Sequence, residues 1–128
     1  NQFVFDVVIS ARDAALREIK HAFKERRDIQ GSEIDKVARD LISGHGYQSY
    51  FSHRLGHSLG REVHGNSVNL DSWETNDPRH LFPGLAVTIE PGIYLPGRFG
   101  VRSEIDVFIG ETGPEVTTEM QQDIVLIL

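Results

Sequence analysis

The segment HRLGHSLGREVH carries imidazoles at His53, His57 and His64, and two carboxylates follow it: Glu90 in VTIEPGIY and Glu104 in GVRSEID. Neutral imidazole nitrogen and carboxylate oxygen are the donors that a divalent transition ion takes from a protein. A histidine and then two glutamates, each near glycine or proline, read as half of a metal site. Two glutamates on neighbouring strands that faced one pocket would repel each other unless a cation lay between them. Arg102 precedes Glu104 by two residues and could offset part of that charge. Gly56 and Gly60 bracket His57 and permit the close backbone approach that a loop presenting a ligand needs. Taken singly, each residue also has a plainer role. A histidine in a glycine-rich loop is commonly a surface group, and a glutamate on a strand commonly faces water. His53 and Arg102 suit a loop and a salt bridge, His80 the surface, and Tyr94 simple packing. The residues alone leave both readings open.

The elements that must position these groups fall into two halves. From Phe3 to about Arg26 the apolar residues recur every three or four positions, which predicts a long amphipathic helix. After a polar connection, Glu25 to Gly31, Ser32 with Asp35 three residues on predicts the capped start of a second helix, with Gly44 as its terminator. Residues 44–66 are rich in Gly, His, Ser and Tyr and lack a period, and Asn66 to Pro83 reads as a loop. Strand signals then take over. Leu85, Val87 and Ile89 alternate with Ala86, Thr88 and Glu90, which puts Glu90 on the face opposite the aliphatic row. Val101, Ile105, Val107 and Ile109 predict one face of a further strand from Val101 to Ile109, with Arg102, Glu104 and Asp106 on the other. Pro96-Gly97 and Gly113-Pro114 mark turns, and Glu115 to Thr118 could pair back. Helices first and strands later indicate an α+β domain with helices packed on an antiparallel sheet.

Bulk properties narrow the function. At 128 residues the chain is one domain or a piece of one, with 39% hydrophobic and 25% charged residues. The net charge of −6 argues against a nucleic-acid-binding surface. The absence of cysteine removes disulfides and thiolate metal sites and suits a reducing compartment, so the cytoplasm is expected. No apolar run is long enough to span a bilayer, and no signal peptide is visible. The chain opens in mid-pattern at Asn1 without a methionine, as a truncated or processed fragment would.

With these motifs assembled, the sequence resembles the pita-bread-fold metallopeptidases, in the branch of aminopeptidase P and Xaa-Pro dipeptidase (prolidase). The resemblance runs through nearly the whole chain. It covers the long helix, SEIDKVARDLISGHGY, HRLGHSLGREVH, PGLAVTIEPGIY, GVRSE and the closing ETGPEVTT turn. It implies a curved antiparallel sheet with helices packed on it. It also implies metal-dependent hydrolysis of Xaa-Pro peptide bonds by a metal-activated hydroxide, with two divalent ions, manganese or cobalt and sometimes zinc.

Carried across residue by residue, the resemblance makes His57, Glu90 and Glu104 metal ligands. Glu90 also helps deprotonate the attacking water, and Glu104 bridges the two ions. His64 is implied as the catalytic histidine that approaches the substrate and steadies the tetrahedral intermediate. His53 is implied to line the substrate pocket, and Arg102 to support the metal carboxylates. The family uses two further aspartates, from strands that precede the first helix. The 128 residues are therefore expected to be a single partial catalytic domain that lacks them. Taken alone it should be inactive, bind divalent metal weakly or not at all, and self-associate or form a homodimer. Two departures stand out: Gly65 follows His64, and Ile105 follows Glu104, where the family usually has acidic residues. They keep a non-catalytic pita-bread-fold binding module in view. A metal-free creatinase-like hydrolase is the other alternative, and retention of His57, Glu90 and Glu104 together speaks against both.

Overall fold

The computed structural model describes residues 1–60 and 67–127. Helix α1, Gln2–Lys24, starts where the Asn1 side chain accepts the Phe3 N–H, and it buries Val4, Val8, Ala11, Ala15, Ile19 and Ala22 along one stripe. Its end is closed by Arg26 in the left-handed region (φ 54°), with Arg27 N–H donating to Ala22 O.

Helix α2, Gly31–Gly44, packs against α1 and is capped two residues earlier than Ser32 and Asp35 predict. Gln30 and Glu33 form the reciprocal cap. The reason is tertiary. Gly31 and Ser32 N–H groups donate to Arg79 O and Asp77 O, so the loop around residue 78 takes the donors that a Ser32 cap would have left open. The helix ends through Gly46 (φ 85°) rather than Gly44, with Tyr47 N–H reaching back to Ile42 O.

Four strands, β1 Ser58–Leu59, β2 Ala86–Ile89, β5 Ile105–Gly110 and β6 Gly113–Val116, form an antiparallel sheet in the order β1-β2-β5-β6. A separate antiparallel pair joins β3, Gly92–Leu95, to β4, Phe99–Arg102. Alternation along β5 is as expected: Ile105, Val107 and Ile109 are buried, and α1 packs against β6 and β4. Each such fully buried aliphatic side chain stabilises the domain by roughly 1.5–3 kcal/mol. The strand expected over Val101 to Ile109 is in fact two strands. Pro91 has no N–H to give a ladder, and its carbonyl accepts from Ser103, so both partners break at the same level. Strand β1 was not legible in advance. Its two residues pair with Val87 and Ala86 and are too few to show a period.

Candidate active site

His57 is held at its backbone from two sides. Gly56 exchanges both hydrogen bonds with Leu70 (3.1 and 3.0 Å), while Thr88 N–H donates to His57 O at 2.9 Å. The His57 N–H donates to the Thr88 hydroxyl at 3.0 Å. Gly56 is required for this approach, because a Cβ there would stand 1.8 Å from Thr88 O. The His57 ring is buried, and its Nδ1 lies 3.1 Å from Ser58 O. A carbonyl only accepts, so Nδ1 carries a hydrogen and in the neutral ring Nε2 carries the lone pair. Nε2 faces Glu90 Oε1 at 3.6 Å. Only a proton or a cation between two such electron donors makes that approach attractive.

Glu90 leaves β2 with its N–H donated to Leu55 O at 2.8 Å. Glu104 enters β5 opposite it, one step beyond the Ile89–Ile105 pair. Burial raises the Glu104 pKa above its ordinary 4.5; hydrogen bonding to Glu90 and the Glu90 charge add to the rise, while Arg102 and His57 oppose it. Asp106 is also raised, first by burial and then by Glu104. It sits two residues beyond Glu104 on one strand face, so its place beside the site was readable from the period.

His53 lies next to this group. Its Nδ1 is 2.7 Å from Arg54 O and its Nε2 is 2.8 Å from the Tyr94 hydroxyl. The carbonyl fixes the hydrogen on Nδ1, so in the neutral ring Tyr94 donates to Nε2. Burial lowers the His53 pKa, which keeps the ring neutral; the Arg54 carbonyl opposes this, and Arg102 and Arg39 add to the lowering. Tyr94 is therefore more than packing. Its ring lies over Gly92 and Gly100, where added Cβ atoms would stand 2.4 Å from its hydroxyl and 2.9 Å from its ring. Burial raises the Tyr94 pKa, and Arg102 works against that through its charge and a hydrogen bond. Arg102 thus touches the electrostatics of both Tyr94 and Glu104. A groove beside them is lined by Tyr94, Phe99, Arg102, Phe5 and Ile124 among others. His64 lies outside the described residues.

The α+β architecture is that of the pita-bread fold. The chain belongs to metallopeptidase family M24, whose family model matches residues 1–111. An uncharacterized peptidase of Staphylococcus epidermidis is 39% identical over 121 residues, covering 94% of this chain and 32% of that protein. The Xaa-Pro dipeptidase from Bacillus anthracis superposes with a TM-score of 0.84 at 34% identity, covering 98% of this chain and 33% of that one. The X-Pro aminopeptidase from Thermotoga maritima gives a TM-score of 0.82 at 34% identity, with coverage of 98% and 33%. The chain spans about a third of the length of these proteins. Among the described residues no helix is long and apolar enough to cross a membrane.

The family implies a divalent metal, and the donor set meets its requirements in part. Ligands at roughly 2.1 Å from one ion lie about 3–3.5 Å apart, close to the 3.6 Å between His57 Nε2 and Glu90 Oε1. The nitrogen and oxygen chemistry also suits such an ion. Among the described residues, however, no group of three or more His, Asp or Glu side chains closes tightly enough to enclose one. Among the described residues only the approach of His57 Nε2 to Glu90 Oε1 matches the spacing of two donors to one ion.

Proposed function

We propose that the protein carrying this chain is an Xaa-Pro metallopeptidase of the aminopeptidase P or prolidase type. The observation that supports this most is the meeting of Glu90 and Glu104 beside His57 Nε2. In this reading His57, Glu90 and Glu104 hold two divalent ions, manganese or cobalt and in some settings zinc. Two aspartates from chain outside these 128 residues complete the ligand set. When bound, such ions supply an activated water and a Lewis acid for the peptide carbonyl. The chain's own residues do the rest. Glu90 receives a proton from the attacking water. His53, held neutral by burial and fixed by Tyr94, lines the substrate pocket. Arg102 balances the carboxylates, and His64 approaches the substrate carbonyl. The substrate is a proline-containing peptide. The reading extends to a homodimer or other self-association and to the cytoplasm, which the cysteine-free composition suits.

The test is hydrolysis by the full-length protein. Xaa-Pro dipeptides and Xaa-Pro-Xaa tripeptides are supplied after chelation and again after return of manganese, cobalt or zinc. Cleavage on the amino side of proline that disappears with chelator and returns with metal is expected. Failure to cleave either substrate with any of the ions would retire the reading. Preference for the dipeptide or the tripeptide separates the prolidase type from the aminopeptidase type.

A further inference from the structure

The carbonyls of Phe51 and His53 and the N–H of Leu55 all meet a single ion pair on α2. Asp35 is fully buried and is bound by Arg39 through Nε at 2.8 Å and Nη2 at 3.1 Å. Arg39 Nη1 donates to Phe51 O at 2.9 Å and Nη2 to His53 O at 2.7 Å. The Leu55 N–H donates to Asp35 Oδ2 at 2.9 Å, and the Ser72 hydroxyl donates to Asp35 Oδ1. On the opposite side Leu55 O accepts from Glu90 and His57 pairs with Thr88. The segment bearing both histidines is thus clamped between a strand and a pair of side chains. The Arg39 guanidinium also lies over the Phe51 ring at 4.1 Å, and Phe51 meets His53 edge-on at 5.1 Å.

We propose that Asp35 and Arg39 are positioning residues that set where His53 and His57 point. A buried ion pair is a poor way to stabilise a helix contact, since desolvation offsets much of its attraction and an apolar pair often serves as well. An apolar pair could not bond three backbone groups of the histidine segment. The planar fork of arginine reaches two carbonyls and a carboxylate at once, which a lysine ammonium on its single stem does not reproduce. Neither residue touches substrate or metal in this scheme; both act through the backbone of residues 51–55. The proposal rests on the reading of His53 and His57 as site residues given above.

The experiment uses the full-length protein, labelled at histidine. Wild type is compared with Arg39→Lys and Arg39→Ala by melting temperature, by imidazole nitrogen resonances without metal, and by kcat and KM on an Xaa-Pro substrate. Arg39→Lys keeps the charge next to Asp35 and is the variant expected to stay folded. It should move the His53 and His57 ring signals, leave those of His21 and His80 in place, and lower kcat/KM by about 10–100-fold, as loss of an orienting partner typically does. Ring signals and kcat/KM unchanged in Arg39→Lys, with only the melting temperature lowered in Arg39→Ala, would overturn the proposal and leave the pair as a stability element. If wild type cleaves no Xaa-Pro bond yet the two ring signals move in Arg39→Lys, the peptidase reading fails and the positioning role stands. If wild type cleaves and the rings do not move, only the positioning role fails.

Discussion

Glu90 and Glu104 stand opposite each other because the register that joins Ile89 to Ile105 carries one residue further, to the point where both strands break. The break is made by Pro91 and matched by Ser103, whose N–H meets Pro91 O at 3.2 Å and whose hydroxyl accepts from Arg12 Nη1 at 3.0 Å. Backbone pairing therefore sets the separation of the two carboxylates, at little cost in side-chain freedom. Their mutual repulsion is built in by the fold.

Burial of Glu104, with Glu90 hydrogen-bonded and charged beside it, makes stability depend on pH. The Glu104 pKa is raised above its ordinary 4.5, so the folded state holds this proton more tightly than the unfolded chain does. The associated stability is fully present below the ordinary value and is lost as pH rises through the raised one. Urea midpoints of metal-free protein should fall as pH rises above the ordinary 4.5, and Glu104→Gln should flatten the decline. A wild-type profile as flat as that of the variant would contradict the arrangement.

The same pair separates function from stability. Glu90→Gln and Glu104→Gln should each lower kcat on an Xaa-Pro substrate by about a hundredfold or more. Each should also raise the melting temperature of the metal-free protein, since one of two repelling charges is gone. A variant that lost both activity and stability would point to a structural role instead.

How much of this was visible in the chain differs by element. The period of α1 and the alternation on β5 were legible because burial of one face imposes them locally. Glu90, Glu104 and His57 were picked out by residue type and by the glycines and proline near them. That they converge was an expectation from residue type and resemblance, since the chain alone does not say which strands pair or in what register. The α2 cap was misplaced from Ser32 to Gln30 by a loop some 45 residues later, whose carbonyls take the first N–H groups of the helix. Asp35 read as the partner of a Ser32 cap and Tyr94 as packing, because their partners Leu55 and His53 lie 20 and 41 residues away. The Gly92 and Gly100 positions beneath the Tyr94 ring were the one local signal that could have exposed its role.

Gly56→Ala tests the geometry at its tightest point. The new methyl would lie 1.8 Å from Thr88 O, a backbone atom that cannot move without dragging β2. Overpacking of this kind costs about 3 kcal/mol or more, and the strain falls on the residue before His57. The melting temperature should drop sharply, and any folded fraction should lose activity. By contrast Gly44→Ala, where nothing lies within 4 Å of an added Cβ, should be neutral or slightly stabilising.

The loop that follows the histidine segment is secured by another carboxylate, and acid should release it. Asp77 accepts from Asn69 N–H at 2.8 Å, Arg79 N–H at 3.0 Å and the Arg79 guanidinium at 2.9 and 2.7 Å. These bonds, that of the Arg79 side chain foremost, pull the Asp77 pKa from 3.8 down to about 2. Because the folded value is depressed, the stability it contributes is present above pH 3.8 and is lost as pH falls toward about 2. The difference corresponds to roughly 2 kcal/mol. Asp77→Asn should therefore be destabilised by about that amount at neutral pH and by much less near pH 2, measured by urea unfolding at both. The effect should reach the site, since the Asn69 side chain accepts the Ser58 N–H at 2.9 Å, next to His57. A shifted His57 ring resonance in Asp77→Asn is the expected mark of that connection. A drop in stability with the resonance unmoved would confine the clamp to the loop.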